Sequence, residues 1–403
     1  MSTAATATER EHPGSATLDR IRAFLAQARP QAPCLVMDLD TVAASYATLT
    51  EAFAPARVSY AVKANPSPAI VRALALRGAG FDVASLGEVE LCRAQGAAPE
   101  SLSFGNTIKK PADIAAAYAY GVREFFFDAP GDLRNIAEYA PGARVFCRLF
   151  VTAPACATPF GRKFGCAESE AAQLLVGAHR LGLEPAGIGF HVGSQQLDVH
   201  AWDSGIAAAA RVFGACAERG IRLKTLNLGG GFAACYTDPA PAAVEYAESI
   251  DSALRRHFPG HPPELVLEPG RAVVAEAGVI RSQVILIARR SPVETHRWVY
   301  LDVGRYNGLA ETENEAIAYR FRPVASAAGA ESGPVILAGP TCDGDDVLYQ
   351  RTPYQLPLSL AAGDELDILS AGAYTASYSS VAFNGLPPLH TYCLSEGKLL
   401  DDR

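Results

Sequence analysis

The strongest constraint on the fold of this chain is an alternation of strand-like and helix-like segments between residues 58 and 268. Eight segments rich in β-branched and aromatic residues predict strands, at 58–62, 81–85, 101–104, 124–128, 144–150, 187–192, 225–228 and 265–268. Ala-rich stretches between them predict helices, among them 86–94, 111–120, 168–181, 199–219 and 241–257. This pattern indicates an α/β fold, a closed parallel (β/α)8 or TIM barrel. An open doubly wound sheet is the competing architecture, although the first βα turn lacks the GxGxxG motif of a Rossmann site.

Beyond residue 271 the pattern changes to strand-like segments separated by Gly, Pro and Asp turns, at 272–287, 298–302, 335–338 and 365–369. Such a change of texture marks a domain boundary. We therefore predict three regions. Residues 1–35 form an N-terminal leader that packs with the β domain, residues 36–271 form the barrel, and residues 272–403 form a C-terminal β-rich domain.

The 403-residue chain is acidic, with a formal net charge of −8. This charge disfavours a nucleic-acid partner or an anionic membrane surface and is compatible with a cationic substrate. Nine cysteines are scattered without CxxC spacing or His clusters, so neither a disulfide framework nor a metal site is predicted. No apolar run has the length of a membrane span or of a signal-peptide core. These features predict a cytoplasmic protein that binds neither nucleic acid nor membrane.

A lysine stands just beyond the first predicted barrel strand, in the motif Tyr-Ala-Val-Lys63-Ala-Asn65. Burial at the end of a strand disfavours the ammonium form, and we expect it to lower the pKa of Lys63. A neutral amine can attack an aldehyde and form a Schiff base. The structural alternative is a lysine that reaches solvent at the start of a loop.

Polar residues also follow the other predicted strands, and in a (β/α)8 barrel the chemistry gathers at these carboxyl ends. The residues in question are Asp82, Asn106, Asp128, His191, Ser194, Gly229, Gly230, Gly231, Glu268 and Arg271. Three consecutive glycines let backbone N–H groups approach an anion closely, unless they serve only a tight turn. Arg271 and Ser194 can donate to the same anion, and loops after strands seven and eight often bind phosphate. We therefore predict a phosphate site.

The carboxylate of Glu268 suits a pyridine nitrogen, because its negative charge keeps that nitrogen protonated. A pyridinium is a better electron sink, and the flat ring of His191 can stack on it. Lysine, phosphate site and carboxylate together indicate pyridoxal 5′-phosphate (PLP). A retro-aldol Schiff-base enzyme would use the lysine and the phosphate site but has no need of Glu268.

The second domain contributes the motifs Gly-Pro-Thr-Cys342-Asp343 and Gly-Ala-Tyr374. A thiol beside carboxylates can transfer a proton, and a carboxylate can face a substrate ammonium. The alternatives for this stretch are a solvated acidic turn or a cation site.

These motifs, in this order, resemble the PLP-dependent decarboxylases with an alanine-racemase-type barrel, specifically the ornithine decarboxylase group. The resemblance covers about residues 33–395. It implies that Lys63 carries the cofactor covalently, that His191 stacks on its ring, and that Glu268 pairs with its pyridine nitrogen. It further implies that Asp82 lies near the Schiff base, and that the phosphate is bound by Ser194, Gly229, Gly230, Gly231, Arg271 and Tyr374.

The resemblance also implies that Cys342 protonates the product carbanion and that Asp343 receives the distal amine of the substrate. Both residues would reach into the barrel of a partner subunit, which implies a head-to-tail homodimer with shared active sites. The second carboxylate for the distal amine departs from the eukaryotic pattern, and Glu311 and Glu313 are the candidates. Relatives also place an arginine before the segment 158–165, and Arg162 is the candidate to replace it.

The activity expected from this resemblance is decarboxylation of L-ornithine to putrescine and carbon dioxide, in polyamine biosynthesis. Lysine is one methylene longer and is the first alternative substrate, because one methylene contributes only ~1–3 kcal/mol of discrimination. Diaminopimelate is less expected, because that branch has Cys-Glu where this chain has Cys342-Asp343. An alternative of another class is a non-catalytic, partner-binding homologue, which would tolerate loss of the cofactor residues.

Overall fold

The computed structural model of the protein describes residues 15–152, 156–159, 161–325 and 330–400. Its first part alternates strands and helices. In chain order these are α1 (Ser15–Ala28), β1 (Cys34–Asp38), α2 (Leu39–Ala52), β2 (Arg57–Ala61), α3 (Pro68–Ala75), β3 (Gly80–Val83), α4 (Leu86–Ala94), β4 (Leu102–Phe104), α5 (Pro111–Tyr120), β5 (Glu124–Phe127), α6 (Pro130–Tyr139), β6 (Arg144–Arg148), β7 (Cys156–Thr158), α7 (Glu168–Arg180), β8 (Glu184–Gly189), β9 (Ser194–Gln196), α8 (Asp203–Ala217), β10 (Thr225–Asn227), α9 (Ala243–His257), β11 (Glu264–Leu267) and α10 (Arg271–Val274).

Eight of these strands, β2, β3, β4, β5, β6, β8, β10 and β11, pair in parallel and close into a barrel. The last strand pairs with the first, Val266 opposite Arg57 and Leu267 opposite Val58. Closure excludes the open doubly wound sheet, and the predicted (β/α)8 barrel is confirmed. The carboxyl ends of all eight strands therefore meet at one face of the barrel.

The turn that follows the first barrel strand places the side chain of Lys63 at this face. Strand β2 is followed by a single 3-10 turn, Val62–Ala64, that contains Lys63. Asn65 then accepts a hydrogen bond from the Ser67 N–H at 3.1 Å, and Pro68 opens α3 with a φ angle that suits the first helical position. The turn and the helix start fix Lys63 at the carboxyl end of β2.

The second part of the chain forms strands β12 (Gly278–Ala288), β13 (Arg297–Leu301), β14 (Arg320–Pro323), β15 (Ser332–Ala338), β16 (Val347–Leu348), β17 (Tyr354–Pro357), β18 (Glu365–Leu369), β19 (His390–Ser395) and β20 (Lys398–Leu399). Together with β1 they build a mixed sheet of ten strands within the described residues. The residues between β18 and β19 return to the barrel face, where the Tyr374 N–H donates to the Ala64 carbonyl at 2.8 Å.

Strand β1 belongs by its pairing to the mixed sheet, although the predicted boundary assigned residues 36–38 to the barrel. Val36 lies opposite Val279 of β12 in an antiparallel pair and opposite Tyr392 of β19 in a parallel pair. A short buried apolar run carries no local signal of which sheet it joins, so the sequence pattern could not place it. Helix α1 packs on the same sheet, while residues 1–14 of the leader lie outside the described residues.

Candidate active site

The amine of Lys63 is held by a carboxylate from the neighbouring barrel strand. Its Nζ donates a hydrogen bond to Asp82 Oδ2 at 2.6 Å. Asp82 lies on β3 and is 4% exposed, whereas the Lys63 side chain is 40% exposed and lines a cavity at the barrel face. The lysine can therefore be reached by a ligand while its charge is neutralised from one side.

Burial acts to lower the pKa of Lys63, but the Asp82 carboxylate, together with Tyr374 and Glu268, outweighs it and raises that pKa above its ordinary value. The expectation of a lowered pKa is therefore wrong for the protein without its cofactor. The sequence placed Asp82 at the same barrel face, but it did not show that this carboxylate contacts the amine.

The cavity beside Lys63 brings together residues from distant parts of the chain. Strand ends of the barrel and one loop of the second domain contribute to its lining. Among the lining residues are the predicted Lys63, His191, Ser194, Gly230, Gly231, Glu268, Arg271 and Tyr374. Of the other predicted residues, Asp82 contacts Lys63 and Gly229 opens the glycine turn. Most of the residues predicted to bind a cofactor therefore lie together at this face of the barrel.

His191 presents a neutral ring to the cavity. Its Nδ1 accepts a hydrogen bond from the Gly193 N–H at 3.0 Å, so the proton of the neutral imidazole lies on Nε2. Burial, together with the cations Arg148 and Lys63, holds the pKa of His191 well below its usual value. A neutral flat ring is suited to stacking on an aromatic ligand.

The glycine turn after β10 requires residues without side chains. Gly229 has φ +65° and Gly231 has φ +108°, both in the left-handed region. A Cβ on Gly230 would lie 2.6 Å from the Glu268 carbonyl oxygen and 3.1 Å from His191 Nε2. The turn itself is ordered, because the Gly229 N–H donates to Asn227 Oδ1 at 2.8 Å. Backbone therefore forms this wall of the cavity.

Glu268 is half-buried directly after β11 and is held by Asn227, whose Nδ2 donates to its Oε1 at 2.6 Å. Burial and the nearby Asp82 carboxylate raise the pKa of Glu268 to about 8, although Lys63 and Asn227 oppose the shift. This carboxyl group can thus share a proton near neutral pH. The sequence analysis overlooked Asn227, whose signal is a lone amide inside an apolar strand.

Arg271 is 3% exposed and is held from several sides. Its two terminal nitrogens bind the Glu311 carboxylate at 2.6 and 2.8 Å. They also donate to Ser194 Oγ at 2.9 Å and to the Tyr236 hydroxyl at 2.8 Å. The Tyr374 ring lies 4.9 Å from the guanidinium carbon. Among the described residues, Arg271 Nε has no hydrogen-bond partner.

The Glu311 contact changes how that residue is interpreted. A carboxylate that binds both terminal nitrogens of a buried arginine is not available to a substrate amine. Glu313, the other candidate, has a 62% exposed side chain and lies 3.5 Å from Arg305. Tertiary folding joins Arg271 and Glu311 across 40 residues, and no local pattern signals such a pair.

Arg148 is a further residue that the sequence analysis overlooked. It ends β6, and burial lowers its pKa although the carboxylates of Glu268, Asp82 and Asp128 act to raise it. Its position at a strand end was the signal that could have found it. By contrast, Arg162 is exposed in the structure.

Cys342 and Asp343 are exposed and do not line the cavity of their own chain. Their loop is nevertheless ordered. The Cys342 N–H donates to Asn384 Oδ1 at 2.9 Å, and the buried Asp346 accepts from the Thr341 N–H and hydroxyl at 3.1 and 2.7 Å. Asp346 therefore has a structural role, and the thiol and the Asp343 carboxylate are presented outward.

The residues around the cavity fit PLP. The glycine backbone, Ser194, Tyr374 and the unpartnered Nε of Arg271 provide donors for a phosphate. Lys63 provides an amine for the aldehyde, and Glu268 provides a carboxylate for the pyridine nitrogen. Together these groups match the aldehyde, the phosphate and the pyridine nitrogen of PLP.

Comparison with known proteins gives the same result. Residues 39–275 match the family model described as pyridoxal-dependent decarboxylase, pyridoxal binding domain. The lysine/ornithine decarboxylase of Selenomonas ruminantium is 35% identical over 360 residues, which cover 88% of this chain and 87% of that protein. The crystal structure of the Vibrio vulnificus lysine/ornithine decarboxylase complexed with cadaverine has a TM-score of 0.83 at 31% identity and covers 94% of this chain and 99% of that one. The crystal structure of the Paramecium bursaria Chlorella virus arginine decarboxylase has a TM-score of 0.84 at 28% identity and covers 93% and 100%.

The family match spans more than half of the chain and includes the barrel with its cavity. The three similar proteins just named are decarboxylases of lysine, ornithine or arginine, as their names state. With the lysine, the carboxylate and the glycine turn in place, this chain belongs to the PLP-dependent decarboxylases of basic amino acids.

Proposed function

We propose that this protein decarboxylates L-ornithine to putrescine and carbon dioxide and thereby supplies polyamine biosynthesis. The observation that supports the chemistry is the contact of Lys63 with Asp82 in a cavity that Glu268 and Arg271 also line. Asp343 beside Cys342 argues against diaminopimelate, because the diaminopimelate branch has Cys-Glu at this place, and lysine stays the first alternative substrate. The names of the similar proteins, which include ornithine decarboxylases, agree with the choice of ornithine.

The cofactor is held by residues of one chain. Lys63 would bind its aldehyde carbon, and Glu268 would hold a proton at its pyridine nitrogen. Its phosphate would take hydrogen bonds from the backbone at Gly229, Gly230 and Gly231 and from the side chains of Ser194, Arg271 and Tyr374. Bound in this way, PLP supplies an electron sink for the bond between Cα and the carboxylate.

The remaining steps depend on which side chains of the cavity are protonated. Glu268 shares a proton near neutral pH because burial raises its pKa to about 8. The neutral ring of His191 would stack on the cofactor ring and would add no positive charge beside it. Asp82 keeps the Lys63 amine positioned for exchange with the substrate amine.

The protonation of the product requires groups that a single chain does not place in its cavity. Cys342 would return a proton to Cα, and Asp343 would receive the distal ammonium of the substrate. Because both are exposed on an ordered loop, we propose that each enters the barrel of a partner subunit in a homodimer. Glu311 is bound to Arg271, which leaves Glu313 as the second carboxylate.

Substrate choice is tested by a side-by-side rate measurement. Purified protein with PLP is given ornithine, lysine, arginine or diaminopimelate, and the released carbon dioxide and amine are quantified. We expect the highest kcat/KM with ornithine and a value roughly 10–200-fold lower with lysine, the range for one methylene. A higher value with any other substrate would reject ornithine. Absence of turnover with all four, in protein that holds PLP, would favour a non-catalytic homologue. The Lys63→Ala variant is the control.

The compartment also remains a proposal. Among the helices that the structure describes, none combines the length and apolar character needed to cross a bilayer. The nine cysteines, scattered without CxxC spacing, are typical of a reducing environment. We propose that the protein works in the cytoplasm.

A further inference from the structure

A cleft of about 530 Å³ lies between the carboxyl-terminal half of α1 and the mixed sheet. Arginines dominate its polar lining, which comprises Arg22, Arg29, Arg281, Arg322 and Glu365. None of these residues lines the cavity beside Lys63. A cleft with this many cations is unexpected on a chain of net charge −8 and calls for a ligand of the opposite charge.

Strand register explains why the arginines converge. Asp367 of β18 lies directly opposite Arg281 of β12 on one side and opposite Arg322 of β14 on the other. Directly opposed residues on paired strands point to the same face of the sheet. Three neighbouring strands therefore present one guanidinium group on each side of the Asp367 carboxylate. Arg22 of α1 also contacts this carboxylate, with its Nε 3.3 Å from Asp367 Oδ2.

The charges in the cleft do not cancel. Asp367 accepts from Arg281 Nε at 2.8 Å and from Arg22, and Glu365 accepts from Arg281 Nη1 at 2.8 Å. The charge of Arg281 is thus paired with two carboxylates. Arg29 and Arg322 are both exposed, and within the part of the chain that the structure describes neither forms an ion pair. Four arginines against two carboxylates leave an excess charge of +2.

We propose that this cleft binds a small anion that carries several phosphate charges, such as pyrophosphate or the polyphosphate of a nucleotide. Guanidinium groups bind phosphate oxygens through paired N–H donors, and each such contact is a strong, charge-assisted hydrogen bond. Arg29 and Arg322 supply the unused donors, and the partly exposed Arg22 lines the same cleft. The site is independent of the proposed substrate and of the PLP cavity.

Isothermal titration of the PLP-saturated protein with sodium pyrophosphate at constant ionic strength tests the proposal. The double variant Arg29→Ala/Arg322→Ala removes the two unpaired cations. Arg72→Ala/Arg77→Ala, at two exposed positions on and just after α3, removes the same charge elsewhere. We expect unchanged affinity in this control and a loss of about a hundredfold in the cleft variant, because it removes two charge-assisted contacts that each contribute roughly one power of ten.

The proposal would be overturned by an absence of binding to the native protein, by equal losses in both double variants, or by release of PLP in step with pyrophosphate binding. The last is followed through the visible absorbance of the cofactor. Parallel titrations with ATP and adenosine separate recognition of the phosphates from recognition of the nucleoside. Binding of ATP but not of adenosine supports phosphate recognition, whereas equal binding of both would overturn it.

Discussion

Replacing Glu311 by glutamine tests how Arg271 is held beside the cofactor. The two side chains are 10% and 3% exposed, and both terminal nitrogens of the arginine bind the carboxylate. Glutamine has the same shape, but it keeps only one acceptor and turns an NH2 donor toward the other guanidinium nitrogen. The substitution therefore breaks a buried charge pair without creating a cavity.

The expected effects on stability and on cofactor binding have opposite signs. Removing one partner of a buried pair costs roughly 3 kcal/mol at the low end of the observed range. With an unfolding entropy of ~2.1 cal/mol/K per residue over 403 residues, this loss lowers the Tm of the cofactor-free protein by about 3–4 °C. Once Glu311 no longer neutralises Arg271, the PLP phosphate becomes its counterion. We therefore expect PLP to bind about tenfold more tightly, equivalent to ~1.4 kcal/mol.

Thermal unfolding followed by circular dichroism, with and without PLP, measures both effects. Absorbance titration gives the dissociation constant of the cofactor. Glu313→Gln is the matched control, because this side chain is 62% exposed and lies 3.5 Å from Arg305. An exposed pair of that kind contributes about 0–1 kcal/mol, so its Tm should change little.

Two results would refute this reasoning. An unchanged Tm of the cofactor-free Glu311→Gln variant would show that the pair does not hold Arg271. Weaker PLP binding in the variant would show that Glu311 acts mainly by orienting the guanidinium and not by neutralising it.

Two further predictions concern the proton on Glu268 and the partner subunit. The pKa of Glu268 is raised to about 8, so in the cofactor-free protein its contribution to stability is present below the unfolded pKa and is lost as pH rises through about 8. The stability difference between the native protein and Glu268→Gln, measured by urea unfolding, should therefore decrease from pH 5.5 to 8.5, and a constant difference would contradict the assignment. Mixing the inactive variants Lys63→Ala and Cys342→Ala should restore activity, because one subunit pairing leaves an intact site, and a mixture as inactive as its components would argue against shared sites.

The sequence located most of the cavity before the fold was known. Lys63, His191, Glu268 and Arg271 each lie at or just beyond the carboxyl end of a predicted strand, and a closed barrel gathers such positions at one face whatever the details of packing. Their positions along the chain and their residue types were enough to predict a PLP site. The catalytic roles assigned to them stay predictions.

Local patterns could not supply the contacts between distant segments. The pKa of Lys63 rises because Asp82 contacts the amine, which reverses the expectation from burial alone. Likewise, Glu311 binds Arg271 because a turn of the second domain folds onto the barrel. Neither pair is near in sequence, so no periodicity or spacing reports it.

By itself, then, the sequence determined the alternation of strands and helices and hence the barrel, because hydrophobic periodicity is a property of each segment alone. Only the tertiary structure decided which sheet β1 joins, which carboxylate neutralises which cation, and that four arginines converge on one cleft. Such choices depend on strand register and on distances between side chains, which are fixed only when the segments pack together.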